Sequence, residues 1–190
     1  MSEEIRLASA ADAAEILKIY APFITDTAVS FEYEVPSSEE FAERIRQIGA
    51  EYPYLVYVRD GVIIGYAYAH RYLERIAYQW DVEVTIYLAP AAQKKGVGKK
   101  LYAALESILA KQHIINLYAC ITASNMDSIN FHRKAGYALA GTFVKAGFKQ
   151  GAWQDVVWMA KSIGSFADEP EKPVKISELK PAVIAEALQV

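Results

Sequence analysis

One cysteine among 190 residues, Cys120, has no partner for an internal disulfide. A reducing compartment, the cytoplasm, is therefore the expectation. A chain of this length needs no staple, because it buries enough apolar surface to fold as one domain. The three histidines, at 70, 113 and 132, are scattered and show no metal-ligand spacing, so no metal is expected. No apolar run approaches the roughly 20 residues of a membrane span. Residues 1–6 carry Glu3 and Glu4 and no apolar stretch of the signal-peptide kind. Excess positive charge is missing as well: 20 Lys and Arg against 23 Asp and Glu leave a net charge of −3. Nucleic acid and acidic membrane are thereby set aside as main partners.

What is present is ordinary globular composition, 53% hydrophobic and 23% charged. A short strand at residues 5–7 leads to a helix opened by Ser9 and Asp12, with Ile16, Leu17 and Tyr20 as its apolar stripe. A capping box, Ser37 with Glu40, starts a second helix carrying Phe41, Ile45 and Ile48, which Gly49 is placed to end. Strands at 54–58 and 62–69 flank an Asp60-Gly61 turn, a hairpin signature. A polar and aromatic connector, 70–79, leads to the strongest strand pattern, residues 80–88. There Trp80, Val82, Val84, Ile86 and Leu88 share one face, and Asp81, Glu83, Thr85 and Tyr87 the other. An amphipathic helix follows, with Val97, Leu101, Leu105 and Ile108. Next come a buried strand at 114–121, a short helix opened by Asp127 or Ser128 and closed by Gly136, and strands at 137–142 and 155–161 around a loop at 145–151. The pattern is that of a single α/β (α+β) domain, 1–163, with helices about one central sheet. Residues 164–190 form a Pro- and charge-rich extension, read as a linker with a short helix opened by Pro181, or as disorder.

The most informative stretch is Gln93, Lys94, Lys95, Gly96, Val97, Gly98, between that strand and the amphipathic helix. Amides at a helix start lack partners and point at one spot, where the helix dipole adds positive charge. Glycines permit a tight turn and close approach of an anion to the backbone. Lys99 is followed by Lys100 rather than Ser or Thr, and position 101 is Leu, so neither a Walker loop nor a dinucleotide fingerprint fits. Glycines that merely shape the turn are the plainer alternative.

This hexapeptide resembles the [QR]-x-x-G-x-[GA] pyrophosphate loop of the GNAT acetyltransferases. Further agreement, over about residues 5–161, is with the branch of phosphinothricin and methionine sulfoximine N-acetyltransferases. It includes Ser30-Phe31-Glu32, Tyr78 with Trp80, Glu83, Ser124-Asn125, Ser128, His132, Gly136-Tyr137, Gly147-Phe148-Lys149 and Trp153 with Asp155. The resemblance implies a central, mixed, mostly antiparallel twisted sheet with helices on both faces. It also implies acetyl-CoA as co-substrate, a small amino-acid-like amine as acceptor, direct attack in a ternary complex, and a homodimer.

By the same resemblance, Ile86, Tyr87 and Leu88 pair with the pantetheine arm, Gln93 and residues 94–99 (Lys94, Lys95, Gly96, Val97, Gly98, Lys99) hold the pyrophosphate, and Asn125 with Ser128 meets the acetyl end. An α-amine with a pKa of about 7.7–8.0 is mostly protonated at neutral pH, so a base helps. Glu83, on the polar face of its strand, is the candidate, directly or through one water; the alternative is an ion pair with Arg75. His132 stands where many members carry a tyrosine thought to protonate the departing thiolate; the alternative is a hydrogen-bonded structural histidine. Phe31, Glu32, Arg75, Tyr78 and Lys149 are the implied acceptor contacts. Two positions depart from the branch: Leu73 replaces an arginine and Val84 an aspartate, which weakens the expectation of a doubly charged acid. Cys120, in an apolar strand, reads as packing rather than a nucleophile. A peptide amine as acceptor, or a non-catalytic acyl-CoA-binding module, are the competing readings.

Overall fold

The computed structural model describes residues 2–189. Seven strands form one sheet among these residues: β1 (Glu3–Leu7), β2 (Tyr54–Arg59), β3 (Val62–Arg71), β4 (Asp81–Leu88), β5 (Asn116–Thr122), β6 (Ala138–Lys149) and β7 (Ala152–Ser162). Their spatial order is β1-β2-β3-β4-β5-β7-β6, and every neighbouring pair is antiparallel except β4 with β5. Five helices accompany it: α1 (Ala13–Thr25), α2 (Ser38–Glu51), α3 (Val97–Lys111), α4 (Met126–Lys134) and α5 (Pro181–Ala187).

Period-2 alternation sorts the strands onto two cores. Tyr54, Val56 and Tyr66 pack under α1 and α2 with Ile16, Ile24, Phe41 and Ile45. On the opposite face Leu55, Tyr57, Ala67, Ala69, Val82 and Val84 pack under α3, against Leu101, Leu105 and Ile108. Helices therefore cover both faces, as the sheet's two apolar sides require.

Local signals act where they are strongest. Ser37 Oγ accepts the Glu40 amide at 3.1 Å while Glu40 accepts the Ser37 amide at 2.8 Å, closing the capping box. Asp60 and Gly61, at φ 48° and 80°, turn the β2–β3 hairpin. Three expectations differ. Gly49 lies inside α2, which continues to Glu51 because Tyr52 still donates to the Ile48 carbonyl. α4 is capped by Asn125, whose Oδ1 accepts the Ser128 amide at 3.2 Å, and not by Asp127 or Ser128. The loop expected at 145–151 is strand: β6 and β7 pair to Lys149↔Ala152 and turn on Gln150 and Gly151, with a register shift between Phe143 and Gly147. Of the two readings of the C-terminal extension, the linker with a short helix holds, with Pro181 at the first position of α5. Its Ile176 and Ala187 join the α3 core, and Gln112 Nε2 donates to the carbonyls of Glu51 and Val174 at 2.8 Å.

Candidate active site

β4 and β5 are paired over three residues only, Asp81↔Asn116, Val82↔Leu117 and Glu83↔Tyr118. Beyond Glu83 they separate, although β4 stays paired to β3 as far as Leu88 and β5 to β7 as far as Thr122. The split opens a cleft of about 1000 Å³ through the sheet. Glu83, Ile86, Tyr87 and Leu88 line one wall and Ala119 to Thr122 the other. Thr122 Oγ1 donates to the Ala28 carbonyl at 2.8 Å, holding the end of β5 to the loop before Phe31.

At the outer end of the cleft the strand-to-helix turn is built as its glycines suggest, but the two have different tasks. Gly96 has φ 82° and open space where a Cβ would stand, so its backbone is both left-handed and accessible. Gly98 is a packing glycine: a Cβ there would stand 3.1 Å from the Phe131 ring and 3.4 Å from Ile86. The amides of Val97, Gly98 and Lys99 open α3 and have no carbonyl a turn earlier to bond. Gln93 and Lys94 line the cleft, Lys95 and Lys99 are exposed beside it, and Lys94 pairs with Asp127 at 3.2 Å. Lys100, next along the helix, is drawn to the other side by Glu3 at 3.2 Å and Tyr57 at 3.3 Å.

Glu83 sits at the inner end, where the two strands part. Burial raises its carboxyl above the ordinary glutamate range, and the imidazole of His70 pulls it partly back. The basic side chain beside it is this histidine, Nε2 to Oε2 3.9 Å, and not the Arg75 considered from sequence. Arg75 is exposed at the start of a short 3-10 turn, and Tyr78 packs edge-on to Tyr72; neither lines the cleft.

His132 is 3% exposed and both ring nitrogens are engaged. Nδ1 lies 2.8 Å from the Ser128 carbonyl, so it carries the hydrogen, and Nε2 accepts from Tyr102 Oη at 2.8 Å. Burial lowers its pKa, with the Ser128 hydrogen bond offsetting part of the shift. Neutral and saturated, this imidazole ties α4 to α3; the arrangement favours the structural alternative for His132. Asn125 and Ser128 both line the cleft, the former through its capping side chain.

Phe31 and Glu32 reach the cleft from the loop after α1. Glu32 pairs with Arg44 at 2.7 Å and accepts from Tyr20 Oη at 3.1 Å. Phe31 lies over Gly147, where a Cβ would come within 2.3 Å of its ring. Lys149 does not point into the cleft. Its buried ammonium donates to the carbonyls of Ile24, Ser30 and Glu32 at 2.7, 2.6 and 2.6 Å, which uses all three of its hydrogens. It clamps the loop that carries Phe31 and Glu32. Tyr33 Oη donates to the Phe148 carbonyl beside it. Cys120 is exposed on the cleft wall rather than packed as its apolar strand suggested, and desolvation with the Glu83 charge pushes its thiol up to about 12, which keeps it protonated near neutrality. Sequence reasoning missed His70, Arg44, Thr122 and Tyr102. For His70 a signal existed: continuing the β3 alternation by one residue places it on the strand.

A family model described as an acetyltransferase (GNAT) domain matches residues 5–158. The chain belongs to the GNAT acetyltransferase family. It is 34% identical over 172 residues to a phosphinothricin N-acetyltransferase of Streptomyces viridochromogenes, covering 90% of this chain and 93% of that one. Over 168 residues it is 30% identical to an L-methionine sulfoximine/L-methionine sulfone acetyltransferase of Salmonella typhimurium, covering 86% and 96%. The crystal structure of a GNAT superfamily phosphinothricin acetyltransferase from Sinorhizobium meliloti, in complex with AcCoA, superposes with a TM-score of 0.85 at 36% identity, covering 92% of this chain and 96% of that one. The split sheet is thus a GNAT acetyltransferase fold.

Proposed function

We propose that this chain transfers the acetyl group of acetyl-CoA to the amine of a small amino-acid-like acceptor by direct attack in a ternary complex. The observation that carries the reading is the cleft itself, with an accessible, partnerless amide cluster at its outer end and a half-buried carboxylate at its inner end. The residues present fit the co-substrate. The amides opening α3 and the open backbone at Gly96 suit a pyrophosphate, and the β4 edge facing the split offers unpaired backbone groups to an amide-bearing arm. The Asn125 and Ser128 end of α4 faces the space where the two substrates meet.

Glu83 takes the amine proton as the nitrogen forms its bond to the acetyl carbon and the carbon–sulfur bond breaks. A carboxyl raised by burial is a better base than an ordinary one. A thiol of pKa about 8.5 leaves readily near neutrality, so the saturated His132 need not serve as acid. Holding both reactants in one slot supplies much of the rate. Phe31 and Glu32 form the acceptor wall, with Lys149 fixing their loop. Cations fit the acceptor side sparsely: Arg44 is tied to Glu32, and no arginine lines the cleft. This favours a monocarboxylate amino acid over a doubly charged acid.

The exposed apolar side chains of the β6–β7 ribbon, Leu139, Phe143, Val144 and Trp153, support a homodimer. The lone unpaired cysteine supports the cytoplasm. Among the described residues no helix is long and apolar enough to cross a membrane.

The test is release of CoA thiol on mixing the protein with acetyl-CoA and a panel of free amino acids, their analogues and short peptides. Turnover on free amino acids is expected to exceed that on peptides. Glu83→Gln is expected to lower kcat by about 10²- to 10⁴-fold with acetyl-CoA affinity retained. In the wild type, activity falls as pH drops through the raised Glu83 pKa, because only the carboxylate accepts a proton. Cofactor binding without thiol release from any amine would leave a binding module instead.

A further inference from the structure

His70 stands directly opposite Glu83 in the β3–β4 register, so the two side chains project from the same face of the sheet. Nδ1 lies 3.0 Å from the Arg71 carbonyl. A ring nitrogen facing a carbonyl carries the hydrogen, which leaves the lone pair on Nε2, the atom 3.9 Å from Glu83 Oε2. The His70 side chain is 36% exposed against 24% for Glu83, and both line the cleft. One partly exposed imidazole therefore stands between the inner carboxylate, 3.9 Å from it, and solvent.

We propose that His70 is the proton exit of the acetyl-transfer site, taking from Glu83 the proton that Glu83 takes from the acceptor amine. This inference rests on the proposed acetyl transfer. The acceptor's N–H breaks as a Glu83 oxygen gains the proton. That O–H breaks as Nε2 gains it, and the imidazolium returns it to water, restoring both groups. The amine lone pair forms the C–N bond, the C–S pair departs with the sulfur of CoA, and nothing is oxidised or reduced. A side-chain rotation of about 1 Å brings Nε2 and Oε2 to hydrogen-bond distance. The need is physical: burial that makes Glu83 a good base also slows its loss of a proton to solvent, and a protonated Glu83 cannot serve the next amine.

The surroundings leave this pair to itself. On β3, Tyr68 stands 5.9 Å away ring to ring, and Arg71 is turned to Glu51 and Glu74. From the loop after α1, Glu32 is held by Arg44. On β5, Tyr118 is stacked under Tyr72 and Cys120 keeps its proton, so neither competes for the proton.

The test compares wild type, Glu83→Gln, His70→Gln and His70→Ala by thiol release across pH 6–9. His70→Gln is expected to lower kcat roughly tenfold near pH 7, less than removal of a primary acid–base group. The loss should shrink as pH rises and hydroxide accepts the proton, with KM for acetyl-CoA unchanged. Added imidazole is expected to restore His70→Ala turnover and to leave wild type unaffected. A His70→Gln profile coincident with wild type overturns the proposal, as does a pH-independent loss that imidazole does not restore. If wild type itself releases no thiol, acetyl transfer fails and the exit with it; if wild type turns over and only the His70 variants match it, His70 alone is struck out.

Discussion

The two ends of the cleft are made of different material. The outer end is one continuous segment, β4 through the turn into α3, and its working groups are main-chain amides. The inner end is assembled from side chains that lie far apart in the chain: Tyr20 on α1, Glu32 on a loop, His70 on β3, Glu83 on β4 and Cys120 on β5. Backbone recognition tolerates almost any side chain around two glycines, whereas the inner wall changes character with each substitution. On the proposed reading, the donor would be held by the outer end and the acceptor chosen by the inner one.

The comparison breaks if a substitution at one end affects both substrates. The largest separation is expected from Gly96→Val. A β-branched residue at φ 82° is strained by about 1–2 kcal/mol or more, enough to raise KM for acetyl-CoA about tenfold. KM for the acceptor should stay as it is, which steady-state kinetics with each substrate varied will show. Lys149→Met is the converse. It leaves three buried carbonyls without their donor, at about 1–3 kcal/mol for an unsatisfied buried group. Acceptor KM should rise several-fold and the melting temperature fall by a few degrees, while calorimetric binding of acetyl-CoA is retained. The smallest effect concerns His132, between the two ends. Its folded pKa lies below its unfolded value near 6.5, so the unfolded chain binds the extra proton and stability falls as pH drops below about 6.5. Denaturant midpoints should decline over pH 6.5–5 in wild type, and His132→Gln should flatten that part of the curve.

How much was legible follows the same division. The Ser37–Glu40 box, the Asp60-Gly61 hairpin, the alternation of β4 and the turn at 93–98 are local, and each is visible within a dozen residues. Lys149 is not: its three carbonyl partners lie 117 to 125 residues away, so a charge beside two glycines read as an acceptor contact in a loop. Gly147, inside the stretch read as a loop, is a seat for Phe31 within a strand. Arg75 and Tyr78 are near Glu83 in sequence yet their side chains stay outside the cleft, since a connector with little periodicity gives no direction. The tail's short helix was legible from Pro181, but the core that Ile176 and Ala187 join was not.

The parting of β4 from β5 has a mechanical side. Three rungs of parallel ladder join a four-stranded panel, β1 to β4, to a three-stranded one, β5 to β7 with β6 outermost. An elongated molecule threaded along that seam would bond to both panels and act as the missing rungs. Occupancy and rigidity then rise together: at a hundredfold excess over Kd, ligation alone stabilises the native state by about 2.7 kcal/mol. A ligand in that seam would do for the sheet what a bolt does for two plates.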